Sequence, residues 1–205
     1  MSYNGGNVID CNTGETLVQH AFPPDLLESV CTNARYWNVV ALTYNEKGIV
    51  TEQPDDPYVA IEAKINNIPV HGVPDLPAEI TYPINKLLLV GDPVDMPHVE
   101  ELMQQMYAGR LSIYRSQPFF LEVMPLGVEK AASLNLLLQR LGLPRESLMA
   151  CGDGMNDRSM IRYAGVGVAM ANAEGPVKAA ANYVTTADNN HDGVAEAVER
   201  FILTD

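Results

Sequence analysis

Leu148-Met149-Ala150-Cys151-Gly152-Asp153-Gly154-Met155-Asn156-Asp157 decides how this chain reads. The first four residues are a short apolar run of the kind that forms a buried strand, and a helical pattern runs from Asp157 to Ala164. Two carboxylates and an amide therefore crowd onto one strand-to-helix turn. Capping of a helix start by Asp or Asn, with Gly supplying the tight turn, explains one acidic residue there. It does not explain two acids and an Asn within six residues. Hard oxygen donors grouped at the end of a buried strand suit Mg²⁺, which takes a few carboxylates and keeps several waters.

Outward from that turn the pattern is regular. Upstream, Lys130 to Leu141 has helical periodicity and is closed by Gly142. Downstream come a strand at Val166–Met170, a helix at Ala173–Ala181, a short strand at Tyr183–Thr185 and a last helix at Gly193–Leu203. Strands alternating with helices predict a parallel sheet covered on both faces, with ligands taken at the carboxyl ends of its strands. Lys130 taken alone reads as a solvated helix lysine, but it opens its helix about twenty residues before the acid turn, where a lysine can neutralise phosphate oxygens as a compact point charge. Asp192 reads as the cap of the final helix.

The first part of the chain is strand-rich and irregular. Val8-Ile9 and Thr16-Leu17-Val18 flank Asn12-Thr13-Gly14 as a hairpin. Pro23-Pro24 opens a helix whose Leu26, Leu27, Val30, Ala34 and Trp37 recur at helical spacing. Strands are expected at 38–42, 49–50, 86–90, 111–115 and 119–123, and helices near 58–64 and 99–107. A boundary is expected near residues 116–124. The expected fold is α/β: a partial Rossmann-like core (residues 1–7 and 122–205) with an inserted α+β domain (residues 8–121).

The charged residues give a net charge of −13, a surface that repels nucleic acid and anionic membranes. A small anionic substrate remains compatible, because a local metal ion reverses the field within a pocket. Cys11, Cys31 and Cys151 show neither a disulfide framework nor a zinc spacing, and no leader pattern stands at the start. A cytoplasmic location is expected.

Gly127-Val128-Glu129-Lys130, Met149 to Asp157, Met160-Ile161, Ala164 to Met170, Asn172-Ala173, Val177-Lys178, Ala181 to Thr185 and Asp192-Gly193-Val194-Ala195 together resemble the C-terminal half of a haloacid dehalogenase superfamily hydrolase. The branch resembled is the Cof-type, sugar-phosphatase-like one. Asn4-Gly5-Gly6 and Phe119 to Val123 resemble the entry and exit of that branch's inserted cap, which closes over the substrate and chooses it. The resemblance implies Mg²⁺-dependent hydrolysis of small phosphorylated metabolites through an aspartyl-phosphate. It implies Asp153 and Asp157 as metal ligands, Asn156 as an orienting amide, and Lys130 as the phosphate-binding cation.

The chain departs from that family in one respect above all. The family begins with an apolar strand ending in Asp-x-Asp-Gly-Thr, whose first Asp is the nucleophile and whose second is the acid/base. A later strand ends in a phosphate-binding Ser or Thr. None of these precedes Asn4-Gly5 here. Val8-Ile9-Asp10-Cys11-Asn12-Thr13-Gly14 mimics the motif, but Asn12 replaces the second Asp, Gly and Thr are exchanged, and the hairpin accounts for it. Ala131-Ala132 stands where the family usually has Gly. The chain is therefore expected to turn over little by itself. The alternative is a non-catalytic remnant that binds metal or phosphate, or pairs with another chain. The absent strands belong beside Leu148–Cys151, whose edge should be open and apolar, so self-association or pairing is expected.

Overall fold

The computed structural model describes residues 2–203. The first residue and the last two of the expected core lie outside this range. The chain separates into two compact units, one running to Val18 and resuming at Glu129, the other Gln19–Val128.

In the first unit, β1 (Asn7–Ile9) and β2 (Thr16–Gln19) form the expected hairpin. Its turn is held by Asp10, whose Oδ1 accepts the Asn12 N–H at 2.8 Å, while the Gly14 N–H reaches the Asp10 carbonyl. Asp10 is thus a turn residue in a two-stranded hairpin and does not end a buried core strand.

The second unit contains α1 (Pro24–Tyr36), β3 (Val40–Asn45), β4 (Gly48–Thr51), α2 (Pro57–Asn66), β5 (Val70–Gly72), α3 (Leu76–Glu79), β6 (Leu87–Val90), α4 (Met96–Met106), β7 (Leu111–Gln117) and β8 (Phe120–Pro125). Its six strands lie in the order β5-β4-β3-β6-β8-β7. The β5–β4 pair is parallel and the others are antiparallel. Alternation along β6 sends Leu87 and Leu89 to a core shared with α1, α3 and α4, and Leu88 and Val90 to a smaller core under α2. Beyond α2 that second face carries a nearly buried ion pair, Lys86 Nζ to Glu122 Oε2 at 2.8 Å.

The first unit continues with α5 (Lys130–Leu141), β9 (Met149–Gly152), α6 (Arg158–Tyr163), β10 (Val166–Ala169), α7 (Gly175–Lys178), β11 (Tyr183–Val184) and α8 (Gly193–Phe201). The three strands are parallel, in the order β11-β10-β9. Ile161, Ala169, Ala173 and Val177 pack on one face, and Val168, Met170 and Ala197 on the other. Both faces are covered, as the alternating pattern requires. β9 is an outer strand, hydrogen-bonded to β10 alone among the described residues.

The division differs from the expected one at both joints. β8 pairs along its length, with Met124 opposite Ser112 and Pro125 opposite Leu111, so residues 122–125 belong to the six-stranded sheet. The hairpin goes with the first unit because Arg140 of α5 reaches Glu15 Oε1 at 2.9 Å and the Leu17 carbonyl at 3.4 Å. An ion pair spanning 125 residues leaves no trace in local pattern. The N-terminal turn is fastened to the same helix: buried Ser133 Oγ donates to the Gly5 carbonyl at 2.6 Å. Gly5 has φ +96°, and a Cβ there would fall 2.5 Å from Ser133 Oγ, so only glycine serves.

Candidate active site

The acid turn leaves the carboxyl end of β9 and tightens into a 3₁₀ turn over Met155–Asp157 before α6. A Cβ on Gly152 would lie 2.4 Å from the Asp157 Cβ, so the strand must end in glycine for Asp157 to fold back beneath it. Asp157 is 7% exposed. Its Oδ2 accepts the N–H groups of Asp153 (3.1 Å) and Gly154 (3.2 Å), and its Oδ1 accepts a short hydrogen bond from Lys130 Nζ. A buried carboxylate is tolerable when paired and hydrogen-bonded in this way. Lys130 is delivered by the first residue of α5, which is tied to α6 by the Tyr163 hydroxyl donating to Asn135 Oδ1 at 2.9 Å. One lysine hydrogen is spent on Asp157, leaving two of its three donors for a ligand.

Asp153 is treated differently. It is half-buried, and its Oδ2 accepts the side-chain amides of Asn172 (2.8 Å) and Asn189 (3.1 Å). Asn172 Oδ1 in turn accepts the Asn189 N–H at 3.1 Å. Oδ1 of Asp153 has no hydrogen-bond partner among the described residues. Asn156 is exposed on the same turn. The structure therefore brings Lys130 and Asp157 into contact, and ties Asp153 to Asn172, which the resemblance includes without a role, and to Asn189, which the sequence does not single out. The register pairs Gly152 with Ala169 and Ala169 with Val184, so polar residues just beyond three parallel strands converge. The rule that ligands collect at such strand ends was the available signal for Asn172 and Asn189.

Neighbouring groups are occupied elsewhere. His191 Nδ1 lies 2.6 Å from Asp188 Oδ1, a bond that holds the Asp188 carboxyl below its ordinary range. Asp192 stands at the start of α8 with φ +63°, but its side chain makes no capping bond; the expected cap is not formed. Burial pushes the Cys151 thiol up, which keeps it protonated and poorly nucleophilic.

As a metal site, the donors are two carboxylates; no group of three or more His, Cys, Asp or Glu gathers among the described residues. That set fits Mg²⁺, which binds through one or two carboxylates, waters and substrate phosphate. The open Oδ1 of Asp153 is a hard donor of the right type. Asp157 has both oxygens engaged within the protein.

Comparison with known proteins identifies the lineage. The profile of haloacid dehalogenase-like hydrolases matches residues 1–198. The chain belongs to this family. A crystal structure of a haloacid dehalogenase-like hydrolase from Bacteroides thetaiotaomicron superposes with TM-score 0.91 at 43% identity, covering 98% of this chain and 75% of that one. The subclass IIB sugar phosphatase BT4131 superposes with TM-score 0.78 at 25% identity, covering 98% and 74%. Among curated relatives, the 5-amino-6-(5-phospho-D-ribitylamino)uracil phosphatase YitU of Bacillus subtilis (strain 168) is 31% identical over 170 residues, 79% of this chain and 63% of that protein. The α/β architecture of this haloacid dehalogenase-like chain, with a parallel sheet and a second α+β unit, is that of its structural relatives. The Cof-type, sugar-phosphatase-like character read from the sequence agrees with them.

Proposed function

We propose that this chain carries the Mg²⁺- and phosphate-binding part of a phosphomonoester hydrolase for small phosphorylated metabolites. The single observation that supports this best is the split use of the acid turn. Asp157 anchors Lys130, while Asp153 is steered by amides on one oxygen and left open on the other. In this reading Asp153 is the direct ligand, with Asp157 acting on the metal through water. Lys130 donates its two remaining hydrogens to phosphoryl oxygens, and exposed Asn156 orients the phosphate from the rim of the turn. When bound, Mg²⁺ would neutralise charge on the transferring group. The Gln19–Val128 unit is assigned the family's cap role, the choice of substrate. Three free cysteines support a proposed cytoplasmic site of action; among the described residues no helix is long and apolar enough to cross a membrane.

The covalent step needs a carboxylate nucleophile, and Asp10 is committed to a hairpin turn. Turnover by these 205 residues alone is therefore expected to be low. A second reading has one observation in its favour: the outer edge of β9 is unpaired among the described residues. An open edge of this kind invites another chain, so a non-catalytic binder of metal or phosphate that self-associates or pairs would use it.

The test compares this chain, its Asp10→Ala variant and a chain extended upstream from the genomic locus, with an aryl phosphate and Mg²⁺. Phosphate binding lost in Lys130→Ala, with turnover only in the extended chain, is the expected result. Turnover in the short chain that disappears in Asp10→Ala overturns the rejection of Asp10. Inactivity of both lengths favours the binding-only reading.

A further inference from the structure

We propose that Asn172 and Asn189 are positioning residues for Asp153, fixing its carboxylate so that Oδ1, rather than Oδ2, is presented to the divalent cation. This inference rests on the metal reading above. A carboxylate on a single turn rotates freely about its last bond unless something fills the lone pairs of one oxygen. Here two amide donors, at 2.8 and 3.1 Å, converge on Oδ2, and no described donor reaches Oδ1. The donors are themselves coupled. Asn172 Oδ1 accepts the Asn189 backbone N–H at 3.1 Å, which fixes the Asn172 amide orientation and leaves its NH₂ facing Asp153. Asn189 Oδ1 accepts from the Asn190 side-chain amide at 3.1 Å, which does the same for Asn189.

Each asparagine is carried by a different strand end. Asn172 follows β10, and its neighbour Ala171 is held to Thr185 Oγ1 at 3.1 Å. Asn189 follows β11, where the Thr185 hydroxyl also donates to the Ala187 carbonyl at 2.6 Å. Thr185 is 3% exposed, so the loops bearing both amides hang from one buried hydroxyl. The arrangement costs the fold little to lose, since both amides lie on exposed loops, yet it sets the direction of the one open acid oxygen. Partners of this kind, one step behind a metal ligand, typically govern affinity by about 10–100-fold.

The experiment titrates the complete 205-residue chain with Mn²⁺, followed by electron paramagnetic resonance of the free ion. Asn172→Ala and Asn189→Ala are each expected to weaken Mn²⁺ several-fold, and the double variant by about 10–100-fold. Asn189→Gln, which keeps the donor on a longer arm, is expected to recover part of the loss. Amide exchange at Val166 and Met170, which donate to the Leu148 and Gly152 carbonyls, should stay unchanged, since a merely structural role would move it. Unchanged Mn²⁺ affinity in the double variant, with Asp153→Ala abolishing binding, overturns the positioning role and leaves the metal reading intact. Equal weakening in Asn189→Ala and Asn189→Gln, or faster exchange at Val166 and Met170, also overturns it. Mn²⁺ binding that is absent, or indifferent to Asp153→Ala, overturns the metal reading and the positioning role with it.

Discussion

Replacing Gly152 with alanine should displace the acid turn. Gly152 does not occupy a left-handed conformation, so backbone strain plays no part. The whole effect is steric. The new Cβ would meet the Asp157 Cβ at 2.4 Å and its Cγ and Oδ2 at 2.6 Å. Cβ positions are fixed by the backbone, so no rotamer change relieves the first contact; the end of β9 or the 3₁₀ turn has to move. Moving either pulls Asp157 away from the Asp153 and Gly154 N–H groups and from Lys130. Overpacking costs about 1–3 kcal/mol, and one lost hydrogen bond to a charged group about 1.5–3 kcal/mol, which places the change at roughly 3–5 kcal/mol. Amide exchange at Val166 and Met170 reports the parallel sheet directly. The fluorescence of Trp37, the only tryptophan, gives a separate readout in the other unit. Gly175→Ala is the control, because nothing lies within 4 Å of a Cβ there; it should be neutral or stabilising by about 0.4–1 kcal/mol. A Gly152→Ala protein within about 0.5 kcal/mol of the parent, a typical surface substitution, would refute the account of how Asp157 is seated.

Three further outcomes follow from the packing. Glu122→Ala strands the Lys86 ammonium, whose side chain is only 12% exposed, and should cost about 3–5 kcal/mol in urea unfolding followed by Trp37, whereas Lys86→Met with Glu122→Leu should be close to neutral; equal costs for the two would contradict this. Glu196 is held at about 2 by hydrogen bonds from the Tyr183 hydroxyl first, then from Thr186 and Ala187. Because that value is depressed, its stabilisation is complete above the ordinary carboxylate range and lost as pH falls toward 2, so melting curves should show the parent's advantage over Glu196→Gln vanishing between about pH 4.5 and pH 2. Ser133→Ala leaves the Gly5 carbonyl without its buried donor and should destabilise by about 1–3 kcal/mol; a neutral result would mean the N-terminal turn is not fastened through this bond.

What the sequence made legible was local. α5 was read to the residue because its apolar spacing is helical and Gly142 takes the left-handed position, φ +65°, that ends a helix. α7 was read too long: Ala179, Ala180 and Ala181 favour helix, but Asn182 bonds Gly167 through both its N–H and its side-chain oxygen, and the chain is drawn back to the sheet after Lys178. β5 was missed because three half-buried or exposed residues become a strand only by pairing with β4 across the proline-rich stretch. In the site, the acid turn was legible as chemistry crowded into six residues. The contact between Lys130 and Asp157 was not, since it depends on how α5 lies against α6. Nor were Asn172 and Asn189, whose amides are ordinary loop residues until three parallel strands align their ends.

The two acids of the turn are close in sequence and differently bonded. A carboxylate that anchors a loop must have its oxygens filled, whereas one that binds a cation must keep an oxygen open. Asp157 is nearly buried, with three donors on two oxygens, and Asp153 is half-buried with both of its donors on one oxygen. The hydrogen bonds of Gly152–Asp157 match the capping reading at Asp157, and the proposed metal reading falls to Asp153. It follows that Asp157→Asn and Asp153→Asn should fail differently. The first exchanges an acceptor for a donor facing Lys130 or the turn amides, and should loosen the turn and release the lysine. The second leaves the fold in place and removes the charge offered at Oδ1. Amide exchange near β9 should separate the two, rising in Asp157→Asn and unchanged in Asp153→Asn, while Mn²⁺ affinity falls in both. Stability unchanged in Asp157→Asn would mean that the lysine contact does not hold the turn, and the assignment of roles would have to be reversed.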